Sequence, residues 1–178
     1  MKTSTRFDRS ALGAVLLSTV LASPAAFAES KKDVPFTAQL VSGEVVYPND
    51  GVLPNPNACP AVPGVANLIG NTVGSGTATQ LGAVTFVATD CIAGVPQLFV
   101  FSKGRMTMTG ANGEQLKAEY FGVMLPTATP PFYTVEGRII FTGGTGKLSG
   151  ASGYGELRGT SNIMNGQAQY RVDGKISY

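Results

Sequence analysis

The stretch Phe141-Thr-Gly-Gly-Thr-Gly-Lys-Leu-Ser-Gly-Ala-Ser-Gly-Tyr-Gly-Glu-Leu-Arg-Gly-Thr160 holds the densest glycine cluster of the chain and decides its fold. It joins two strand-like segments through a turn, because glycine readily adopts the positive φ values that tight turns require. A phosphate-binding loop is the other interpretation of Gly143 to Lys147. The Walker pattern, however, needs glycine where Phe141 stands and serine or threonine where Leu148 stands. We therefore predict a structural turn, with Leu148 packed into the end of a barrel.

Alternating segments on both sides of this turn predict β-strands. The last one, Gln167 to Tyr178, places apolar side chains on one face and polar side chains on the other. The other predicted strands span residues 36–47, 97–109, 114–125, 133–142 and 150–160, with a strand-rich region over 76–90 and an ambiguous segment over 65–75. Asn112-Gly113 and Asn165-Gly166 favour hairpins. Such short, regularly spaced strands predict an all-β antiparallel barrel or sandwich, and we favour the barrel because closure removes unprotected edge strands.

The N-terminus has the features of an export signal. A basic region with Lys2, Arg6 and Arg9 precedes the apolar run Ala11 to Ala22 and the cleavage site Ala26-Phe27-Ala28. The apolar run is shorter than the roughly 20 residues that a membrane-spanning helix needs. We predict a signal peptide over residues 1–28, so the protein is expected to be secreted or periplasmic.

Residues 29–178 are predicted to form one barrel domain with a proline-rich loop at 48–64. The signal carries three of the 13 basic residues and one of the 11 acidic residues, so the remaining domain has ten of each. A nucleic-acid partner is not expected, because binding to nucleic acid requires a basic excess or patch. Membrane association is not expected either.

Cys59 and Cys91 are the only cysteines. In an exported protein such a pair predicts a disulfide, with two free thiols as the alternative. Closing the loop between the two cysteines with a disulfide stabilises the folded state by about 3–4 kcal/mol. We expect the bond to attach the proline-rich loop to a strand that ends at Asp90.

The absence of histidine limits the chemistry that the chain can perform. With no histidine in the sequence, Ser-His-Asp and Cys-His nucleophile systems are excluded. The usual zinc sites are excluded too, since two cysteines cannot complete a four-cysteine site. We therefore expect no metal and no cofactor.

Glu44 is the candidate catalytic residue. If the alternation of the first strand is unbroken, Glu44 shares the inner face with Phe36 and Leu40, where desolvation raises the pKa of a carboxyl group as a catalytic acid requires. The apolar positions change parity after Ser42-Gly43, however, and a bulge there would turn Glu44 outward. The sequence leaves both interpretations open.

Two tyrosines and two methionines are candidate ligand-binding residues. Tyr120 and Tyr170 fall on predicted inner faces, where their hydroxyls could contact a ligand. Met106 and Met108 share one strand face and could line an adaptable pocket. Ordinary core packing is the alternative for all four.

The chain resembles a known barrel family in three segments. Thr142-Gly-Gly-Thr-Gly-Lys-Leu148 with Gly150-Ala-Ser-Gly-Tyr154 resembles a segment of plant dirigent proteins and of allene oxide cyclases. With Gly74-Ser-Gly-Thr-Ala-Thr79 and Ala111-Asn-Gly-Glu-Gln-Leu116, it looks like the arrangement in small exported bacterial proteins of this type. The resemblance covers roughly residues 74–178 and implies an eight-stranded calycin-like barrel with a central cavity. Family members with known roles act on hydrophobic small molecules, but no catalytic motif transfers, and Gln80 stands where many relatives carry histidine.

Three functional hypotheses follow. The first is an exported, non-catalytic barrel that binds a small hydrophobic ligand or serves as a scaffold, with a homo-oligomer left open. The second is a cofactor-free cyclase or isomerase, or a dirigent-like protein, that uses Glu44 with Tyr120 or Tyr170. The third is a small outer-membrane barrel, which the apolar face ending at Tyr178 favours and the expected disulfide and many inward glycines disfavour.

Overall fold

Eight antiparallel strands follow one another around a closed barrel in the computed structural model, which describes residues 33–49 and 59–178. The predicted signal peptide and residues 50–58 of the predicted loop lie outside the described residues. Each strand pairs with the next, and the last pairs with the first, so the all-β eight-stranded antiparallel barrel is confirmed. The strands are β1 (Val34–Pro48), β2 (Ala66–Ala78), β3 (Gly82–Val95), β4 (Leu98–Gly110), β5 (Gln115–Pro126), β6 (Phe132–Gly144), β7 (Ser152–Asn162) and β8 (Gln167–Ser177).

Two boundaries differ from the sequence expectation. The ambiguous segment 65–75 belongs to β2, a full strand of 13 residues, although its many glycines weaken the strand pattern. β3 runs through Asp90 to Val95 instead of ending at Asp90. Asp90 is therefore one of the β3 residues whose side chains point into the barrel.

The predicted turn lies between β6 and β7 and forms a single 3-10 turn, Gly146–Leu148. Gly146 has a φ of +57°, and Leu148 is fully buried at the end of the barrel, as expected. No helix in the described part of the chain has the length and apolar character needed to cross a membrane.

One half of the barrel interior is filled with apolar side chains. Phe36 and Phe141 stack at a tilt, with ring centroids 4.6 Å apart, and Leu148 closes that end. We call this region the filled half; its fully or almost fully buried members are Phe36, Met108, Leu116, Phe141, Leu148 and Ile176. Apart from Glu44 and Asp90, the charged residues of the described strands point outward, for example in the exposed ion pair between Arg158 and Glu156.

The disulfide between Cys59 and Cys91 is present, with its Cα atoms 5.5 Å apart. It connects the chain that precedes β2 to the interior of β3, near the other end of the barrel. The side-chain amide of Asn49 donates to the carbonyl of Cys59 over 3.1 Å. The described ends of the predicted proline-rich loop are thus held together.

A β-bulge interrupts the barrel wall beside Asp90. Thr89 pairs with Arg105 and Cys91 pairs with Ser102, so Asp90 faces two residues of β4. Within this bulge Lys103 has a φ of +52°. Bulges of this kind bend a strand and redirect side chains, and they are frequent next to functional sites.

Candidate functional site

Glu44 points into the barrel. The register of β1 with β2 is unbroken from Ala38 to Pro48, so there is no bulge at Ser42-Gly43. The outward interpretation of Glu44 is therefore wrong. Thr72, directly opposite on β2, donates a hydrogen bond from Oγ1 to Glu44 Oε1 over 3.3 Å.

Asp90 is a second inward carboxyl and was not among the site residues predicted from the sequence. Its side chain is 5% exposed, and Oδ2 accepts a hydrogen bond of 2.9 Å from the Tyr120 hydroxyl. The other carboxyl oxygen, Oδ1, is buried and has no hydrogen-bond partner among the described residues. The sequence does contain a pattern that indicates this inward direction. Val84, Phe86 and Ala88 occupy every second position of β3 and point inward, and Asp90 is the next residue in that series.

The two carboxyl groups approach the same point above Gly70. A β-carbon on Gly70 would lie within 2.5 Å of both Asp90 Oδ1 and Glu44 Oε1, so these oxygens are at most 5 Å apart. Glycine at this position therefore leaves the space in which the two acids meet. A larger residue would displace one of them.

Three of the inward polar side chains lie over a glycine on the neighbouring strand. Gly70 is the cross-strand partner of Asp90, Gly104 that of Tyr120, and Gly159 that of Tyr170. A β-carbon on Gly104 or Gly159 would lie 2.6 Å or 2.8 Å from the facing tyrosine ring. The missing side chains thus make room for large polar groups inside a narrow barrel.

Burial changes the acidity of this cluster. Desolvation, followed by the nearby charge of Glu44, raises the pKa of Asp90 to about 7, and the hydrogen bond from Tyr120 and a smaller effect of the Gly70 backbone only partly offset this. Desolvation also raises the pKa of Glu44, against the smaller effect of Thr72. The pKa of Tyr120 lies well above its usual value, first through burial and then through Asp90. Near neutral pH, the site therefore contains a carboxyl that can gain or lose a proton.

A small cavity of about 30 Å³ adjoins these groups. We call its polar lining the polar cluster: Glu44, Thr72, Asp90, Tyr120 and Tyr170. The apolar lining consists of Phe86, Ala88, Ile92, Phe101, Met106, Met124, Val135 and Leu157. The space suits a group of about the size of one or two water molecules.

The structure brings most of the predicted site residues together, with one exception. Glu44, Tyr120, Tyr170 and Met106 line the cavity, whereas Met108 is fully buried in the filled half and does not. Met124, which was not among the residues predicted from the sequence, also lines the cavity.

Gln80 lies outside this site. Its Oε1 accepts a hydrogen bond of 2.8 Å from the Tyr178 hydroxyl at the filled end of the barrel. No group of three or more potential metal ligands of the Cys, His, Asp and Glu type occurs among residues 33–49 and 59–178. Within the polar cluster, Thr72 donates a hydrogen bond to Glu44 and Tyr120 donates one to Asp90.

Comparisons with protein-family models, curated proteins and solved structures find no match to this chain.

Proposed function

We propose that the protein is an exported, non-catalytic barrel that binds a small, largely hydrophobic molecule with one polar group. The observation that carries this proposal is Asp90 Oδ1, a buried acceptor without a partner that lines the cavity. Binding sites for small molecules are typically apolar, with a few convergent polar groups that fix the orientation of the ligand. The polar cluster and its apolar surroundings have this composition. Because the cavity of about 30 Å³ is far smaller than the roughly 300–1,000 Å³ of such sites, the lining must move to admit more than a small polar group.

A purely structural role explains the polar cluster less well. A buried polar atom without a partner destabilises the folded state by about 1–3 kcal/mol, and a buried charge costs more. An apolar residue at position 90 would avoid both penalties, as the buried apolar side chains of the filled half do. Destabilising groups of this kind are typical of binding and catalytic sites, where stability is lost in favour of function.

Export is part of the proposal and has two supports. The N-terminal sequence has the three regions of a signal peptide, and the Cys59–Cys91 disulfide suits an oxidising compartment. Most of the buried side chains are apolar, and the ion pairs Arg158–Glu156 and Arg171–Asp173 lie on the outer surface, whereas outer-membrane barrels have an apolar outer band and a polar interior. This supports a secreted or periplasmic protein over an outer-membrane barrel.

We also propose membership of the dirigent and allene oxide cyclase-like barrels. The glycine turn at Thr142 to Leu148 and an eight-stranded barrel with an internal cavity support it. The roles of those proteins with hydrophobic small molecules agree with a binding function here. Fold alone does not carry function, however, so the binding proposal depends on the polar cluster.

Methionine methyl groups provide a direct test of binding. Met106 and Met124 line the cavity, Met108 lies in the filled half, and Met164 is exposed on the surface. We expect titration with small hydrophobic compounds that carry one polar group to shift the ¹³C-methyl NMR signals of Met106 and Met124. Met108 and Met164 should shift much less. Shifts confined to Met164, or no shifts across the whole panel, would contradict binding in the cavity.

A cofactor-free isomerase or cyclase is the second candidate, because two carboxyl groups lie within 5 Å and one has a pKa of about 7. In such a pair, one carboxyl can be protonated while the other is ionised. The pair could therefore donate a proton to a substrate and accept one from it without a metal or cofactor.

Proton exchange tests this second candidate. A ketone such as cyclohexanone, incubated with the protein in D₂O, should incorporate deuterium next to its carbonyl faster than in buffer alone. Asp90→Asn and Glu44→Gln should abolish the excess rate, while Glu119→Gln, an exposed change on β5, should retain it. Exchange at the buffer rate with the unaltered protein would reject the enzyme hypothesis as framed.

A further inference from the structure

We infer that the ligand of this cavity carries a primary ammonium group, which binds between Glu44 and Asp90 with its hydrophobic chain among the apolar lining residues. This inference rests on the proposed binding function and names the chemical class of the ligand. It is carried by the charge of the lining, by the unpaired Asp90 oxygen and by the size of the space.

The titratable groups that face the cavity are all acidic. They are Glu44 on β1, Asp90 on β3, Tyr120 on β5 and Tyr170 on β8. None of the lining side chains in the described part of the chain is basic. An anionic ligand would add a further negative charge in a desolvated space, and a neutral ligand would leave the negative charge of the ionised carboxylate uncompensated. A cation relieves both difficulties.

The geometry of the two carboxyl groups suits one ammonium nitrogen. Asp90 Oδ1 and Glu44 Oε1 are at most 5 Å apart, and charge-assisted N–H···O hydrogen bonds have lengths of about 2.7–2.9 Å. A single nitrogen can therefore reach both oxygens at once. Asp90 Oδ1 has no hydrogen-bond partner that the ligand would need to displace, and an ammonium group has three donors to offer.

The remaining lining residues fit an ammonium group on an apolar chain. The cavity of about 30 Å³ accommodates a group of roughly the size of water, and an NH₃⁺ group has that size. The rings of Phe86, Phe101, Tyr120 and Tyr170 border the space, and aromatic faces attract cations. The alkyl chain behind the ammonium group needs more volume than this cavity holds, so binding requires flexible lining side chains such as Met106 and Met124 to move and admit it.

Three probes with the same six-carbon chain test the inference: hexan-1-amine, hexan-1-ol and sodium hexanoate. At pH 8 an alkyl amine is protonated, because its pKa lies near that of lysine at about 10.4. We expect hexylammonium to bind at least about tenfold more tightly than hexanol, since hydrogen bonds between charged groups are about twice as strong as neutral ones. Hexanoate should bind more weakly than hexanol. Isothermal titration calorimetry gives the affinities, and the Met106 and Met124 methyl signals report the location.

Asp90→Asn supplies the decisive variant, because it keeps the size of the side chain and removes its charge. It should lower the preference for hexylammonium, and the double variant with Glu44→Gln should bring the affinity for hexylammonium down to that for hexanol. Glu119→Gln, the matched neutralisation on the outer face of β5, should keep the tenfold preference. Hexanol or hexanoate binding as tightly as hexylammonium would overturn the ammonium inference and leave the binding function standing. The same holds if the full preference survives in the double variant. Failure of all three probes to shift Met106 and Met124 would overturn both proposals.

Discussion

The two halves of the barrel share the same strands but differ in the side chains that those strands direct into the interior. β1 contributes Phe36 to the filled half and Glu44 to the polar cluster, and β3 contributes Val84 near the filled half and Asp90 to the polar cluster. In the filled half, buried apolar side chains occupy the interior. In the other half, acids and phenols replace them, with glycines opposite. The barrel thus separates the part that stabilises the fold from the part that can perform chemistry.

This separation predicts opposite responses to substitution in the two halves. Removing a side chain from the filled half loses buried apolar contacts and leaves a hole. Removing a charge from the polar cluster relieves a desolvation penalty. Stability measurements can therefore assign each residue to one half without any knowledge of the ligand.

The largest effect is expected for Phe141→Ala in the filled half. Phe141 is 2% exposed and stacks on Phe36, and truncating a buried phenylalanine costs about 3–5 kcal/mol of unfolding free energy. Urea unfolding followed by circular dichroism measures the change. Tyr154→Ala, which removes an exposed aromatic ring from β7, should change the value by no more than about 0.5 kcal/mol. Similar losses for the two variants would mean that this end of the barrel is not close-packed.

The second effect concerns pH and the polar cluster. The pKa of Asp90 is about 7 in the fold, and unfolding returns it towards its ordinary value near 3.9. The stability linked to this raised pKa is fully present below about pH 4 and is lost as the pH rises through 7, by at most about 4 kcal/mol. Glu44 acts in the same direction, since its pKa is also raised.

Asp90→Asn should remove most of this pH dependence. The variant cannot ionise at position 90, so we expect it to be more stable than the unaltered protein at pH 8.5 and about equally stable at pH 4. Urea midpoints at the two pH values measure the difference, and Glu119→Gln should follow the unaltered protein at both. If Asp90→Asn loses stability at pH 8.5, the carboxylate stabilises the fold and does not belong to a destabilised site.

The filled half could be predicted from the sequence more completely than the polar cluster. The glycine turn and the position of Leu148 follow from local patterns, because turn chemistry and alternation are short-range properties. The direction of Glu44 stayed open because Val45 and Tyr47 read as inward apolar residues, although they are 56% and 38% exposed. Branched and aromatic side chains favour strands even on an exposed face, so apolar character alone misled the assignment.

The pairing of polar side chains with glycines could not be predicted. It depends on the register between strands, and neither Gly70 opposite Asp90 nor Gly104 opposite Tyr120 is encoded in a local pattern. The inward direction of Asp90 was not predicted, because the sequence pattern indicates a strand that ends at this residue. A bulge in the adjacent strand, centred on Lys103, left no simple alternation in β4 that would have indicated the site.

Gly70→Ala tests whether the space above this glycine holds the two acids. The added β-carbon would lie within 2.5 Å of both carboxyl groups, so we expect a loss of about 1–3 kcal/mol in unfolding free energy. Gly43→Ala is the matched control, because a β-carbon on Gly43 meets nothing within 4 Å. In the Asp90→Ala background, Gly70→Ala should cost clearly less, since one of the two clashing side chains is gone. Equal costs in both backgrounds would show that Gly70 is needed for another reason.

The smallest effect concerns one hydroxyl and shows how the charge of the polar cluster is held. Tyr120 donates to Asp90 Oδ2 over 2.9 Å, and this bond lowers the pKa of Asp90 against burial. Tyr120→Phe should therefore raise the pKa of Asp90 further, by roughly one pH unit, as measured from the ¹³C shift of its carboxyl carbon. Tyr154→Phe, at an exposed position, should leave it unchanged. A fall in the pKa of Asp90 would mean that its protonated carboxyl donates a hydrogen bond to the phenol oxygen. The polar cluster would then hold a proton rather than a negative charge, and the basis for binding a cation would be lost.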